Sequence, residues 1–217
     1  MISAPRSRLA ERWPSLRGRR ALVTGAGTRL GAAIATALGE QGAKVAVHYR
    51  SSAEGADAVV RSVLDSGGDA RGFHGDLLRE GVPSSLVADA SEWLGGMDIL
   101  VANAANFDAT SVGDANESHW DRALELNLRV PFRLVQSALP FLRQGSGAVV
   151  LISDIGVDRP YRDHLPYLAS KGALSTMART LALELAPDVR VNAVAPGTVL
   201  APLAMGEQEL AAIVSRV

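Results

Sequence analysis

Thr24-Gly25-Ala26-Gly27-Thr28-Arg29-Leu30-Gly31 is the stretch on which the reading of this chain turns. A short apolar run, Ala21–Thr24, leads into it, and a helical pattern with Leu30, Ile34 and Leu38 on one face leaves it. Glycine permits a tight turn between strand and helix, and it lets backbone amides approach a pyrophosphate at the helix N-terminus. The spacing is Gly-x-Gly-x-x-x-Gly, unlike the Gly-x-Gly-x-x-Gly of the common dinucleotide fingerprint. A glycine turn alone is weak evidence, because a purely structural turn has the same composition. Its place between the first strand and first helix of a repeating array gives it weight.

Outward from the turn the same alternation recurs. Further strands are predicted at Lys44–His48, Ala70–His74, Ile99–Ala102, Ala148–Ser153 and Arg190–Ala195, with longer helical patterns between them. These runs are mostly continuous in apolar residues, as strands buried on both faces are. Strands alternating with helices mean βαβ units around a parallel sheet, hence an α/β fold. The helix after Tyr167 places Leu174, Met177, Leu181 and Leu185 at helical spacing and stops near Pro187. Pro196-Gly197 and a short helical pattern from Gly206 to Val217 follow the last strand, which is expected to be a sheet edge or to be covered by another element. No repeat or internal linker divides the chain, and 217 residues suit one sizeable domain. The expected organisation is a mobile basic leader over 1–18 and a single Rossmann-type domain over 19–217.

Composition narrows function by exclusion. Apolar residues make up 47% of the chain, enough to fill a core and too many for a disordered protein. The net charge is −1 with acids and bases interspersed, so no basic face points to a nucleic-acid partner. The absence of cysteine excludes disulfides, thiol catalysis and cysteine-ligated metal, and no His/Asp/Glu cluster has metal-ligand spacing. No apolar run has transmembrane length, so no membrane partner is expected. The first 20 residues carry Arg6, Arg8, Arg12, Arg17, Arg19 and Arg20 against Glu11 alone. Such a segment fits a transit peptide, but an ordinary leader is the preferred reading, and the expected compartment is cytoplasmic.

The end of the second strand bears on which dinucleotide the turn would take. An NAD site usually places an acid there, about 20 residues beyond the glycines, to hold the ribose 2′-hydroxyl. Val47-His48-Tyr49-Arg50-Ser51-Ser52 contains none. A 2′-phosphate would instead meet Arg50, the two serines and Arg29 from the turn, and guanidinium groups grip phosphate bidentately. The expected cofactor is therefore NADP(H). The competing reading of Arg50 is an ordinary surface charge.

Tyr167-Leu168-Ala169-Ser170-Lys171 puts a phenol and an ammonium one helical turn apart on one face. Positive charge nearby lowers a phenol's pKa, so Lys171 is expected to depress Tyr167 and fit it for acid–base work near neutrality. With these residues together the chain resembles the short-chain dehydrogenase/reductase family from about Arg20 to Thr198. The resemblance rests on Thr24-Gly25…Gly31, Asp76, Asn103-Ala104, Asn127, Tyr167…Lys171 and Pro196-Gly197. It implies a doubly wound parallel sheet of strand order 3-2-1-4-5-6, whose usual final strand is not legible here. It also implies an oxidoreductase in which Tyr167 is the general acid, Lys171 also holds the nicotinamide ribose, and Asn127 supports a proton relay. Gly25, Thr28, Arg29, Leu30, Gly31, His48, Tyr49, Arg50, Ser51, Asp76, Leu77, Asn103, Ala104, Lys171, Pro196, Gly197 and Thr198 would line the cofactor, with Asp76 at the adenine. Members commonly assemble as homotetramers or homodimers, and the same is expected of the intact chain.

Two departures sharpen the resemblance. The middle glycine of the family's turn is Arg29 here, and the family's catalytic serine, thirteen residues before the tyrosine, is Asp154. Ser153 cannot simply substitute, because successive strand residues point to opposite faces. A carboxylate at this place would repel the alkoxide that forms when a ketone is reduced, and suits a substrate with N–H donors or one protonated at nitrogen. A carboxyl carrying its proton could still serve a ketone. Both departures resemble the pteridine reductase and dihydromonapterin reductase branch, as does His48-Tyr49-Arg50-Ser51. Phe107, in Asn103-Ala104-Ala105-Asn106-Phe107, falls where that branch stacks a pterin ring, although it reads equally as a packing residue. His119 and Trp120 read as capping and packing, and His164 as a loop residue near Tyr167.

The leading expectation is thus an NADPH-dependent reductase of a small molecule, a dihydropterin or related C=N heterocycle, with Phe107, Asp154 and Tyr167 at the substrate. A carbonyl or 3-oxoacyl reductase of the same fold is the alternative, and a non-catalytic nucleotide-binding or scaffold protein is an alternative of another class.

Overall fold

Which runs can be buried on both faces decides the order of the strands. The computed structural model describes residues 16–197 and Val199. Strands β1 (Arg20–Val23), β2 (Lys44–Tyr49), β3 (Asp69–His74), β4 (Ile99–Ala102), β5 (Ala148–Ile152) and β6 (Arg190–Val194) form one sheet in the order β3-β2-β1-β4-β5-β6. Every pairing is parallel. This is the expected Rossmann-type topology, with strand ends within one residue of the sequence-based reading.

Six helices are α1 (Arg29–Glu40), α2 (Ala53–Asp65), α3 (Val82–Leu94), α4 (Glu117–Leu124), α5 (Val130–Leu142) and α6 (Leu165–Glu184). Alternation along the strands sends Leu22, Ala46, Leu100, Val149 and Leu151 into one core with α3, α5 and α6. It sends Val23, Val45, Val47 and Val101 into a second core with α1 and α2. Each fully buried Leu or Val contributes about 1.5–3 kcal/mol, and the two layers bury the sheet on both faces.

Leu30, Ile34 and Leu38 do not form the buried face of α1. They are half-buried, and Gly31, Ala35 and Gly39 are the residues that face inward. A Cβ on Gly39 would collide with the Val63 side chain, so small residues let α1 and α2 pack closely. The expected apolar stripe of α6 does face the core at Leu174, Leu181 and Leu185, with Met177 partly buried.

The N-terminal end of the domain also departs from expectation. Leu16 packs against the second core and its N–H donates to the Gln41 carbonyl at 3.0 Å, so residues 16–18 join the domain instead of the leader. Arg20 forks onto Asp98, Nε at 2.8 Å from Oδ2 and Nη2 at 2.9 Å from Oδ1, across the neck of the sheet. The arginines at 19 and 20 thus answer to the fold, Arg19 Nη1 donating to the Gly145 carbonyl at 3.1 Å. Among the described residues β6 pairs with β5 alone, and Asn192, Ala193 and Val194 are exposed. The helical pattern expected from Gly206 to Val217 lies outside the described residues.

Chain direction across the sheet reverses between β1 and β4, where the crossovers lead to opposite sides. The loops at the carboxyl ends of these strands part there and leave a crevice.

Candidate active site

The crevice begins at the turn after β1. Gly25 has φ +63°, and a Cβ there would sit 2.9 Å from the Cα of Ala104. Glycine is therefore required twice over, by backbone conformation and by the approach of the loop after β4. Gly31 is equally constrained, because a Cβ would collide with the Gly25 carbonyl. Thr24 Oγ1 accepts from the amides of Asn103 (3.0 Å) and Ala104 (3.1 Å), while Asn103 Nδ2 donates to the carbonyls of Thr24 (2.9 Å) and Gly25 (3.1 Å). The two loops are thus locked edge to edge. No acid stands in the first turn of α1, so its amide end keeps its positive potential. Arg29 adopts φ +50°, the left-handed conformation that the family's glycine would adopt without strain.

A cavity of about 480 Å³ runs from this turn past Tyr49, Arg50, Ser51 and Ser52 to Asp76, and on to Asn103, Asn106 and Phe107. Gly25, Thr28, Arg29, Leu30, Gly31, His48, Leu77 and Ala104 line it as well. Asp76 Oδ1 accepts from the Leu78 amide at 3.1 Å, which fixes the carboxylate at the far end. His48 differs from the expected phosphate contact. Its ring is buried, with Nδ1 accepting from the Gly25 amide and Nε2 paired with the Gly75 carbonyl, so both nitrogens are occupied by backbone. Thr198 lies outside the described residues, while Pro196 anchors the segment after β6 through its carbonyl, which accepts from the Ile155 amide at 3.1 Å.

At the other end, Tyr167 Oη donates to Asp154 Oδ2 at 2.8 Å, and Asp154 Oδ1 accepts from the Gly156 amide at 2.6 Å. Burial first, then the Asp154 hydrogen bond and charge, push the Tyr167 phenol well above its ordinary range. This overturns the expected depression by Lys171. The Lys171 Nζ lies 5.7 Å from the tyrosine ring centre and donates to the Ile152 carbonyl at 2.7 Å, so the carboxylate is the nearer charge. Lys171 is itself buried, and burial lowers it to about 8, with Asp154 working in the opposite direction. Ser153, as alternation requires, faces α6 and bonds Ser175 Oγ at 2.7 Å.

Asn127 sits in a π-helical turn, Glu125–Arg129, between α4 and α5. Such turns redirect single side chains and recur at functional sites. This one buries Asn127 completely, where Oδ1 accepts from the Asn106 amide (3.0 Å) and Nδ2 donates to Ser170 Oγ (3.0 Å). The asparagine therefore clamps the loop bearing Phe107 onto α6.

Phe107 is 60% exposed, which excludes the core-packing reading. Its ring stacks on His164 at 4.3 Å and meets Tyr167 edge-on at 4.8 Å. Tyr161, 37% exposed, stands 6.3 Å from Phe107 and is raised by burial and by Asp154. Tyr161 had no signal in the sequence, since it comes from an irregular loop; the His164 stack had only its nearness to Tyr167. His119 caps α4 reciprocally with Asn116 and takes no part in the site. Among the described residues there is no His/Cys/Asp/Glu cluster able to hold a metal and no helix long and apolar enough to cross a membrane.

The sheet order, the glycine turn and the Tyr167/Lys171/Asn127 arrangement all lie within residues 19–211, which match the family model of the short chain dehydrogenases. The chain belongs to the short-chain dehydrogenase family. This short-chain dehydrogenase is 37% identical over 185 residues to versicolorin reductase stcU of Emericella nidulans, covering 85% of the present chain and 70% of that relative. Its fold superposes with a TM-score of 0.85 on the alternative dihydrofolate reductase 1, FolM, of Brucella suis in complex with NADP. That structure is 36% identical, and the match covers 92% of this chain and 80% of the other. A TM-score of 0.79 and 34% identity relate it to the angucycline C-6 ketoreductase LanV with bound NADP, over 84% of this chain and 73% of that one. The dehydrogenase thus resembles both a protein named as an alternative dihydrofolate reductase and one named as a ketoreductase.

Proposed function

We propose that this protein is an NADPH-dependent reductase of a dihydropterin or related C=N heterocycle. The observation that carries the reading is the Asp154–Tyr167 pair at 2.8 Å beside the exposed ring of Phe107. A flat, N–H-bearing ring finds there an aromatic plate and a hydrogen-bond acceptor together.

The residues present fit the dinucleotide. A Cβ at Gly25 or Gly31 would crowd the facing loop or the turn itself, the helix end is free of acid, and Arg50 and Ser51, which line the same cavity, would hold a ribose 2′-phosphate. When bound, the nicotinamide supplies a hydride. The protein's own residues hold the proton. The phenol of Tyr167 stays protonated across the neutral range because burial, and then the Asp154 carboxylate, disfavour the phenolate, and the protonated form is the one a reduction consumes. Asp154 orients that proton, and Lys171 places a positive charge beneath the ring. Asn127 keeps the Phe107 loop at its distance.

Exchanging Arg50 for Asp should weaken NADPH binding by about 1.5–3 kcal/mol, tenfold or more, with little change for NADH. Parallel KM determinations with both cofactors check this, and equal changes would remove Arg50 from the phosphate site. For the substrate, NADPH oxidation is followed with dihydropterins and dihydrofolate beside ketones and 3-oxoacyl thioesters. Turnover of the pterins supports the reading, and Phe107→Ala should then raise their KM by about two- to tenfold through lost stacking of about 0.5–1.5 kcal/mol. The second reading is a ketone reductase, favoured by the versicolorin and angucycline relatives. Turnover of ketones alone establishes it instead.

A further inference from the structure

We propose that His48 is a positioning residue. As a neutral imidazole protonated at Nε2, it ties the glycine turn to the end of β3 and so sets the spacing across the dinucleotide crevice.

Its partners dictate the tautomer. The Gly25 amide, 3.1 Å from Nδ1, can only donate, so Nδ1 must present its lone pair. The proton then resides on Nε2, which donates to the Gly75 carbonyl at 3.1 Å. The surrounding backbone makes His48-Tyr49 a hub: the Ala26 amide donates to the His48 carbonyl at 2.7 Å, and the Gly75 amide to the Tyr49 carbonyl at 3.0 Å. One dipeptide thereby makes two bonds to the turn and two to Gly75. Gly25 opens the phosphate cradle and Gly75 precedes Asp76, so the side chain of His48 spans the ends of β1, β2 and β3.

An imidazolium would turn an N–H toward the Gly25 N–H and set two donors against each other. The site resists that change. The ring is 2% exposed, and burial pushes it down to about 4, opposed by the Gly75 carbonyl, with His74 and Asp76 as the ionisable neighbours bearing on it in opposite senses. An apolar side chain of similar size would leave an amide and a carbonyl buried without partners, whereas glutamine can accept at Oε1 and donate at Nε2.

The inference toward the cofactor rests on the NADP(H) reading, and the test separates the two. In nitrogen-detected NMR of imidazole-labelled protein, His48 should appear as the neutral Nε2–H tautomer at pH 6; an imidazolium or the Nδ1–H tautomer there overturns the proposal. In calorimetric titrations with NADP+ at neutral pH, His48→Leu should bind about tenfold or more weakly while His48→Gln stays near wild type. A folded His48→Leu protein that binds like wild type overturns it, as does an equal loss in both variants. If His48→Leu does not fold, the glutamine variant decides alone. Having no proton to gain, it should lose less melting temperature than wild type as the pH falls from 6.5 to 4, and an equal fall counts against the proposal. Wild-type protein that binds no NADP+ defeats the cofactor reading, and the tautomer and the acid limb then judge His48 as the tie between the two loops.

Discussion

Tyr167→Phe should lower kcat by about 10²–10⁴-fold, the usual worth of a positioned general acid, and leave NADPH binding close to wild type. The phenyl ring keeps the edge-on contact with Phe107 and the burial of the native side chain, so the variant removes the proton donor together with its hydrogen bond to Asp154. Single-turnover hydride transfer measured beside NADPH fluorescence titration distinguishes the two effects. A fall smaller than about tenfold would assign proton delivery to another group, with Tyr161 the nearest phenol by its position around Asp154.

The second large effect is expected at Asp154. Restoring the family's hydroxyl with Asp154→Ser removes the acceptor of the Tyr167 proton and the negative charge beside it. Pterin turnover should fall by about 10²-fold, and ketone turnover should be retained or rise because an alkoxide no longer meets a carboxylate. The pH profile carries a second signature. In the wild-type protein, Lys171 is charged below about 8 and loses its charge as the pH rises through that value, so activity that needs the ammonium declines there. Without Asp154, which raises Lys171 and Tyr167 alike, both groups lose their protons at lower pH and the alkaline limb moves toward acid. An unchanged substrate preference with an unchanged limb would defeat the role given to this carboxylate.

Much of this site was legible because its residues lie at turns whose chemistry is local. Gly25, Gly31, Tyr167 and Lys171 are set by their own neighbours in sequence, and the strand boundaries follow from apolar runs that must be buried. What escaped reading depends on distance in sequence. The direction in which Tyr167 is perturbed is set by its burial and by a carboxylate thirteen residues away. The fully buried face of α1 gave no sequence signal because its periodicity is carried by glycine and alanine, which score weakly as apolar. His48 looked like part of a phosphate-binding string, and only the return of the chain at Gly75 shows that its ring points inward. The π-helical turn at Asn127 has no composition that distinguishes it from ordinary helix.

Arg29 adds an energetic dimension to the turn. Its left-handed backbone at φ +50° costs a side-chain-bearing residue about 1 kcal/mol that glycine would not incur. The positive charge beside the glycine turn is thus held at a conformational cost that glycine at the same position would avoid.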